Sequence, residues 1–245
     1  MANWSDPQSG ATSFATATGA RTEAFDAGLR RYMLSVYNYM FSGILLTGIV
    51  AMGFAASGMA AQVFGGPGIL KWIITLAPLG FVFGMSFGGG RMSAGTLQAM
   101  FWGFAVAMGL SLSTIFLAYT GTSIAQSFFA TAAAFGGLSL FGYTTKKDMT
   151  AMGSFLIMGV IGLVVASIVN LFLQSGTFYL IISGLGVLIF SGLIAYDTQR
   201  LKMTYYELGG NQTAMGVATN YGALSLYINF INLFQFLLAI FGNRR

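Results

Sequence analysis

The side chains able to do chemistry in this chain are few, and most sit near the end of the sequence. Residues 149–196 contain no Asp, Glu, Lys or Arg, and the run closes on Asp197 in LIAYDTQRLK (193–202). An ionisable group in a membrane span is costly and marks a functional site by default. A second cluster follows in YGALSLYINFINLFQFLLAIF (221–241). There Ser225, Asn229, Asn232 and Gln235 fall within about a third of the helical circumference at ~100° per residue, and the other faces are Leu, Ile and Phe. Such a stripe avoids lipid. It faces a protein interior, where amides find hydrogen-bond partners, or a water-filled cavity.

Depth bears on how Asp197 is read. Counted from Phe178, it lies about 30 Å along its helix at ~1.5 Å per residue, near the edge of a span rather than its middle. Two readings stay open. One is an ion- or proton-responsive group; the other is an interfacial aspartate paired with Arg200 at i+3, a cation offsetting an unfavourable place at a helix C-terminus.

The elements that must position these residues follow from composition. The chain has 245 residues, 56% hydrophobic and 7% charged, against roughly a quarter charged in soluble domains. Residues 32–70, 72–90, 92–145, 149–196 and 208–243 are free of Asp, Glu, Lys and Arg. Since about 20 apolar residues cross the hydrocarbon, the two longest runs each hold a helical hairpin. The expected spans are 33–56, 71–89, 97–119, 123–143, 150–173, 178–198 and 219–241, forming an all-α polytopic membrane protein with seven helices. Residues 1–31 are expected to form a flexible cytoplasmic tail without a signal peptide, and residues 32–245 the membrane domain.

With the N-terminus inside, the inner segments hold Arg21, Arg30, Arg31, Arg91, Lys146, Lys147, Arg200 and Lys202, and the outer ones hold Lys71, Arg244 and Arg245. That excess favours a cytoplasmic N-terminus. The final Arg244 and Arg245 then fall outside, which a re-entrant last segment would avoid; seven full crossings are preferred because 219–241 has neither Pro nor a central Gly. Gly80 and Gly84, and Gly153 and Gly159, read as close helix packing. Pro78 is a kink in the second span. Asp148 reads as the cap of the fifth span.

The chain has no Cys and no His. Zinc hydrolases, thiol chemistry and histidine-dependent intramembrane proteases are thereby excluded. Aspartyl proteolysis needs two carboxylates at one water, and Asp197 is the only acid expected inside a span. No enzymatic activity and no resident cofactor are expected. The net charge of +5 is spread over helix ends and implies no nucleic-acid partner.

Five stretches together resemble the Bax-inhibitor-type (transmembrane Bax inhibitor motif) family, in particular its bacterial YetJ- and YccA-like branch: GLRRYMLSVYNYM (28–40), GLSLSTIFLAYT (109–120), KKDMTAMGSFL (146–156), LIFSGLIAYDTQRL (188–201) and ALSLYINFINLF (223–234). The resemblance implies two inverted three-helix layers around a central seventh helix in the bacterial inner membrane. It also implies a pH-sensitive Ca²⁺ leak gated by two aspartates. Asp197 matches the first. Where the family's leak members read LYLDFINLF this chain reads LYINFINLF, so Asn229 replaces the second. Two close carboxylates raise one pKa, and an Asp–Asn pair lacks that repulsion, so weaker or reset pH gating is expected, with transient Ca²⁺ at Asp197.

The expected pathway residues are Asp197, Asn229, Arg91, Ser225 and Asn232, with Arg91 as a nearby cation. The expected partners are membrane lipids and Ca²⁺ or H⁺. The alternative is a non-conducting protein that binds and modulates a membrane protease or another membrane complex.

Overall fold

The computed structural model describes residues 8–88, 92–209 and 211–244, with side chains from residue 26 onward. Arg91 and Arg245 lie outside the described residues. Among those described there are eight helices: α1 (Gln8–Ala56), α2 (Met59–Gly65), α3 (Leu70–Gly88), α4 (Ala94–Ala118), α5 (Gly121–Thr144), α6 (Thr150–Leu173), α7 (Gly176–Leu208) and α8 (Gln212–Phe241). All but α2 are long and apolar enough to cross a membrane.

Helix starts follow local chemistry. Ser93, Thr120, Ser175 and Asn211 each accept a backbone N–H of the first turn of α4, α5, α7 and α8, satisfying donors that a helix leaves orphaned. Asp148 does the same for α6 from one position upstream of the cap residue, accepting from the Thr150 N–H and hydroxyl at 2.9 and 2.6 Å. Those two donors hold its carboxyl below the usual range. Gly209, with φ of 55°, closes α7 in the left-handed conformation that glycine adopts without strain.

Three spans are longer than hydropathy suggested. The first helix, α1, continues N-terminal of residue 33, where Leu29, Tyr32, Met33, Val36 and Met40 extend one buried stripe past the arginines. Likewise α7 runs on to Leu208 and α8 begins at Gln212, with Leu201 and Tyr205 buried beyond the last apolar run. Charged residues end a hydropathy window, but they do not end an amphipathic helix.

The helices form two triplets. In the first, α4 packs on α1 and α3; in the second, α7 packs on α5 and α6; α8 lies between them against α1, α4, α5 and α7. Each triplet has three crossings, so the second is inverted relative to the first. α8 is the most buried span. The contacts that join it to the first triplet are polar as well as apolar. Thr47 on α1 donates to the Ala105 carbonyl on α4 (2.8 Å) and so must accept from the Tyr227 hydroxyl on α8 (2.6 Å).

Glycines set the second triplet. A Cβ at Gly142 would lie 2.2 Å from the Ala195 carbonyl oxygen, so α5 and α7 touch backbone to backbone there. Gly153 and Gly159 seat Tyr196 and Ile189 of α7 against α6. Of the other expected pair, Gly84 packs on Met100, whereas Gly80 has open space around its Cα.

The chain end settles the crossing number. Thr120 N–H donates to the Asn243 carbonyl, Asn243 N–H donates to the Ser123 hydroxyl, and Arg244 lies over the rings of Tyr119 and Tyr179. The C-terminus is therefore at the end bearing the α4–α5 and α6–α7 turns, opposite the α5–α6 turn. α8 crosses fully and does not re-enter.

Candidate functional site

Asp197 is brought to its partners by tethers on both neighbours. On α7, the Gln199 side chain accepts from Met149 N–H and donates to the Lys147 carbonyl (3.0 and 2.8 Å), and Lys202 donates to the Tyr143 carbonyl (3.1 Å). The α5–α6 turn thus lies about one helical turn, ~5 Å, above Asp197, which agrees with a place near the span's edge. On α8, Tyr221 donates to the Met85 carbonyl of α3 (2.8 Å) and Asn220 to the Ala94 carbonyl of α4 (3.3 Å).

Between these anchors one carboxylate oxygen, Asp197 Oδ2, accepts from Ser225 Oγ (2.5 Å) and Asn229 Nδ2 (2.7 Å). Asp197 is 7% exposed and Asn229 5%. Asn229 turns its amide nitrogen to the carboxylate, as it must, since its oxygen would repel the charge. Arg200 acts on Asp197 electrostatically and lines the same cavity, but the hydrogen bonds come from α8. The i+3 pair is not the principal partner.

The cavity has a volume of ≈ 360 Å³ and runs between α3, α7 and α8 from Asp197 and Ile228 up to Thr204 and Ala218, about 10 Å along the helices. Ser86, Arg200 and Thr204 give it a polar rim. In the bundle centre beyond Asn229 the interior turns aromatic: Phe230 meets Phe128 and Phe135 at 5.7 Å, and Phe104 meets Tyr227 at 5.1 Å. Asp197 therefore lies at the end of this cavity nearest the aromatic centre.

Of the expected site residues, Asp197, Ser225 and Asn229 are brought together. Asn232 is not with them; it donates to its own helix at Ile228 O (2.8 Å) and lines a separate cavity against α6. Arg91 lies outside the described residues. Sequence reasoning missed Tyr221 and Thr204. Both were legible in principle, since Tyr221 continues the α8 stripe four residues before Ser225 and Thr204 lies two turns after Asp197 on the same face. Among the described residues no three His, Cys, Asp or Glu side chains gather to hold a metal ion.

The fold and site define a polytopic seven-helix membrane protein with a buried carboxylate clasped by its last helix. The family follows from comparison. The family model described as "Inhibitor of apoptosis-promoting Bax1" matches residues 29–245, and the chain belongs to this Bax inhibitor family. It is 55% identical over 228 residues to an uncharacterized protein of Caulobacter vibrioides, covering 90% of this chain and 91% of that one. It is 45% identical to uncharacterized protein RP147 of Rickettsia prowazekii (93% and 96% covered) and 41% identical to inner membrane protein YbhL of Escherichia coli (89% and 94% covered).

Proposed function

We propose that the protein is a passive cation conduit, with Ca²⁺ as the permeant ion, gated at Asp197 with Asn229 as its partner. The observation that carries this reading is a buried carboxylate, hydrogen-bonded by Ser225 and Asn229 of the central helix, that lines a cavity shared with Ser86, Arg200 and Thr204. A purely structural aspartate needs no such cavity. On this reading the cavity, which ends at Ile228, belongs to a shut form.

Protonation offers the switch. An ionised Asp197 holds Ser225 and Asn229 together and ties α7 to α8; a protonated one binds both less strongly and presents no charge to a cation. The basic residues Arg30, Arg31, Lys146, Lys147, Arg200 and Lys202 lie at the end of the bundle nearer Asp197, and Lys71 and Arg244 at the other. The positive-inside bias then makes the Asp197 end cytoplasmic. The name of YbhL supports the bacterial inner membrane as the site of action.

The test is Ca²⁺ entry into liposomes holding the purified protein, compared with Asp197→Asn. A leak that the substitution alters supports the reading. A wild-type leak unchanged by Asp197→Asn would sink it.

A further inference from the structure

Two cavities meet at the basic end of the bundle, away from the Asp197 site. The first, of ≈ 500 Å³, is polar and lies between Asp26 and Arg30 of α1, Tyr143 of α5, and Lys202 and Tyr206 of α7. The second, of ≈ 590 Å³, is an apolar groove between α1 and α5, lined from Arg30 to Phe41 on one wall and from Ala132 to Tyr143 on the other. Arg30 and Tyr143 belong to both. Together they form one site with a charged head and an apolar stem.

The groove exists because α1 and α5 do not pack on each other; each packs on α7 and α8 instead. Its floor is Met33, Phe135 and Ser139, all buried, and Tyr37 and Phe41 reach across to Phe135 with ring centroids 6.2 Å apart. Its lips, Leu34 and Leu140, are half exposed or more, so it opens sideways into the hydrocarbon. Part of the α5 wall is bare, since a Cβ on Gly136 would meet nothing within 4 Å. Each wall advances eleven positions along its helix, about 16 Å at ~1.5 Å per residue. That is close to half of a hydrocarbon core roughly 30 Å thick, so the groove is one leaflet deep.

The head carries two cations against one acid. Arg30 is exposed, and no acceptor among the described residues engages its guanidinium. Lys202 gives one donor to the Tyr143 carbonyl (3.1 Å) and lies 5.2 Å from the centroid of the Tyr143 ring. The guanidinium fork and the remaining ammonium donors are a set that holds a phosphate. Tyr143 stands where head meets stem, an amphipathic ring at headgroup level.

We infer that this site binds one anionic phospholipid from the leaflet at the basic end, with its phosphate between Arg30 and Lys202 and one acyl chain in the groove over Gly136. The inference does not rest on the conduit reading. Charge selects the headgroup, because a zwitterionic lipid brings its own cation against Arg30. The groove selects a lipid over a free phosphate, and the bound chain bridges the two triplets where the protein itself does not.

The test is native mass spectrometry of the purified full chain in detergent, titrated with phosphatidylglycerol, phosphatidylcholine or glycerol 3-phosphate. Arg30→Gln probes the head and Gly136→Leu the stem. The control is Gly137→Leu, at a position whose Cβ also meets nothing within 4 Å but which lies outside the groove. Both leucines have room and favour a helix over glycine, so the fold is kept, which thermal melting checks. The wild type should retain one phosphatidylglycerol several-fold better than phosphatidylcholine and no glycerol 3-phosphate at the same concentrations. Arg30→Gln should lower phosphatidylglycerol retention roughly fivefold, the worth of one basic residue at an anionic surface, and leave phosphatidylcholine unchanged. Gly136→Leu should lower retention of both lipids several-fold, and Gly137→Leu of neither. Equal retention of the two lipids by the wild type, or equal losses in Gly136→Leu and Gly137→Leu, would mean ordinary annular lipid and overturn the site. Glycerol 3-phosphate bound as tightly as phosphatidylglycerol would overturn the lipid as its occupant.

Discussion

Asp197→Asn should stabilise the protein, and the sign can be worked from the site. The carboxylate accepts two hydrogen bonds through one oxygen, from Ser225 and Asn229, and an asparagine oxygen in the same place can accept both. Bonds to a charged group contribute about 1.5–3 kcal/mol each and neutral ones about 0.5–1.5, so removing the charge forfeits roughly 2–3 kcal/mol across the pair. Against this stands the cost of a charge that is 7% exposed, which is several kcal/mol even after relaxation. Arg200 and the cavity offset part of that cost. The balance is a gain of about 1–2 kcal/mol at pH values where Asp197 is ionised, shrinking to nothing where it is protonated. At about 2–4 °C per kcal/mol for a chain of this size, the melting temperature in detergent should rise by a few degrees in alkaline buffer and not in acid. A loss of ~2 kcal/mol or more in alkaline buffer would refute the reasoning, because the carboxylate would then be a net-stabilising clamp and not a charge kept for function.

Gly142→Ala drives a methyl into the Ala195 carbonyl; overpacking of this kind costs about 1–3 kcal/mol and, two residues from Asp197, should also alter the leak, both measurable on one preparation. Tyr227→Phe should cost about 1 kcal/mol by thermal melting, the net worth of one neutral bond, and Thr47→Val more, since it strands the Tyr227 hydroxyl at a site where Tyr227 is fully buried. For Asp148, the folded carboxyl titrates below its ordinary 3.8, so its cap on α6 is complete at neutral pH and is lost only as pH falls below that value; amide exchange at Thr150 should accelerate there, and at every pH in Asp148→Ala.

The spans were legible because a charge-free run long enough to cross a bilayer has few other uses in a chain this apolar. Their ends were less so. Leu29 and Tyr32 on α1, and Leu201 and Tyr205 on α7, are buried past the charges that close each run, and only tertiary packing shows that those turns still face a partner. Asp197 and the Ser225/Asn229 stripe were visible as spacing, but their union depends on the register of α7 against α8, which no single helix encodes. Asn232 illustrates the limit of the stripe argument. A face a third of a circumference wide is broad enough to meet two neighbours, so Ser225 and Asn229 turn to α7 while Asn232 turns towards α6. The asparagine at 229 was the most informative departure: an amide can donate to the carboxylate where a second ionised acid could not.

The central claim is that Asp197 gates the conduit and that Asn229 sets its pH response. The most direct test is Ca²⁺ entry into liposomes measured between about pH 6 and 8 for the wild type and for Asn229→Asp. The account requires a wild-type leak with shallow pH dependence and a steep dependence in Asn229→Asp, since two facing carboxylates cannot both ionise cheaply. Identical pH profiles for the two proteins would contradict it.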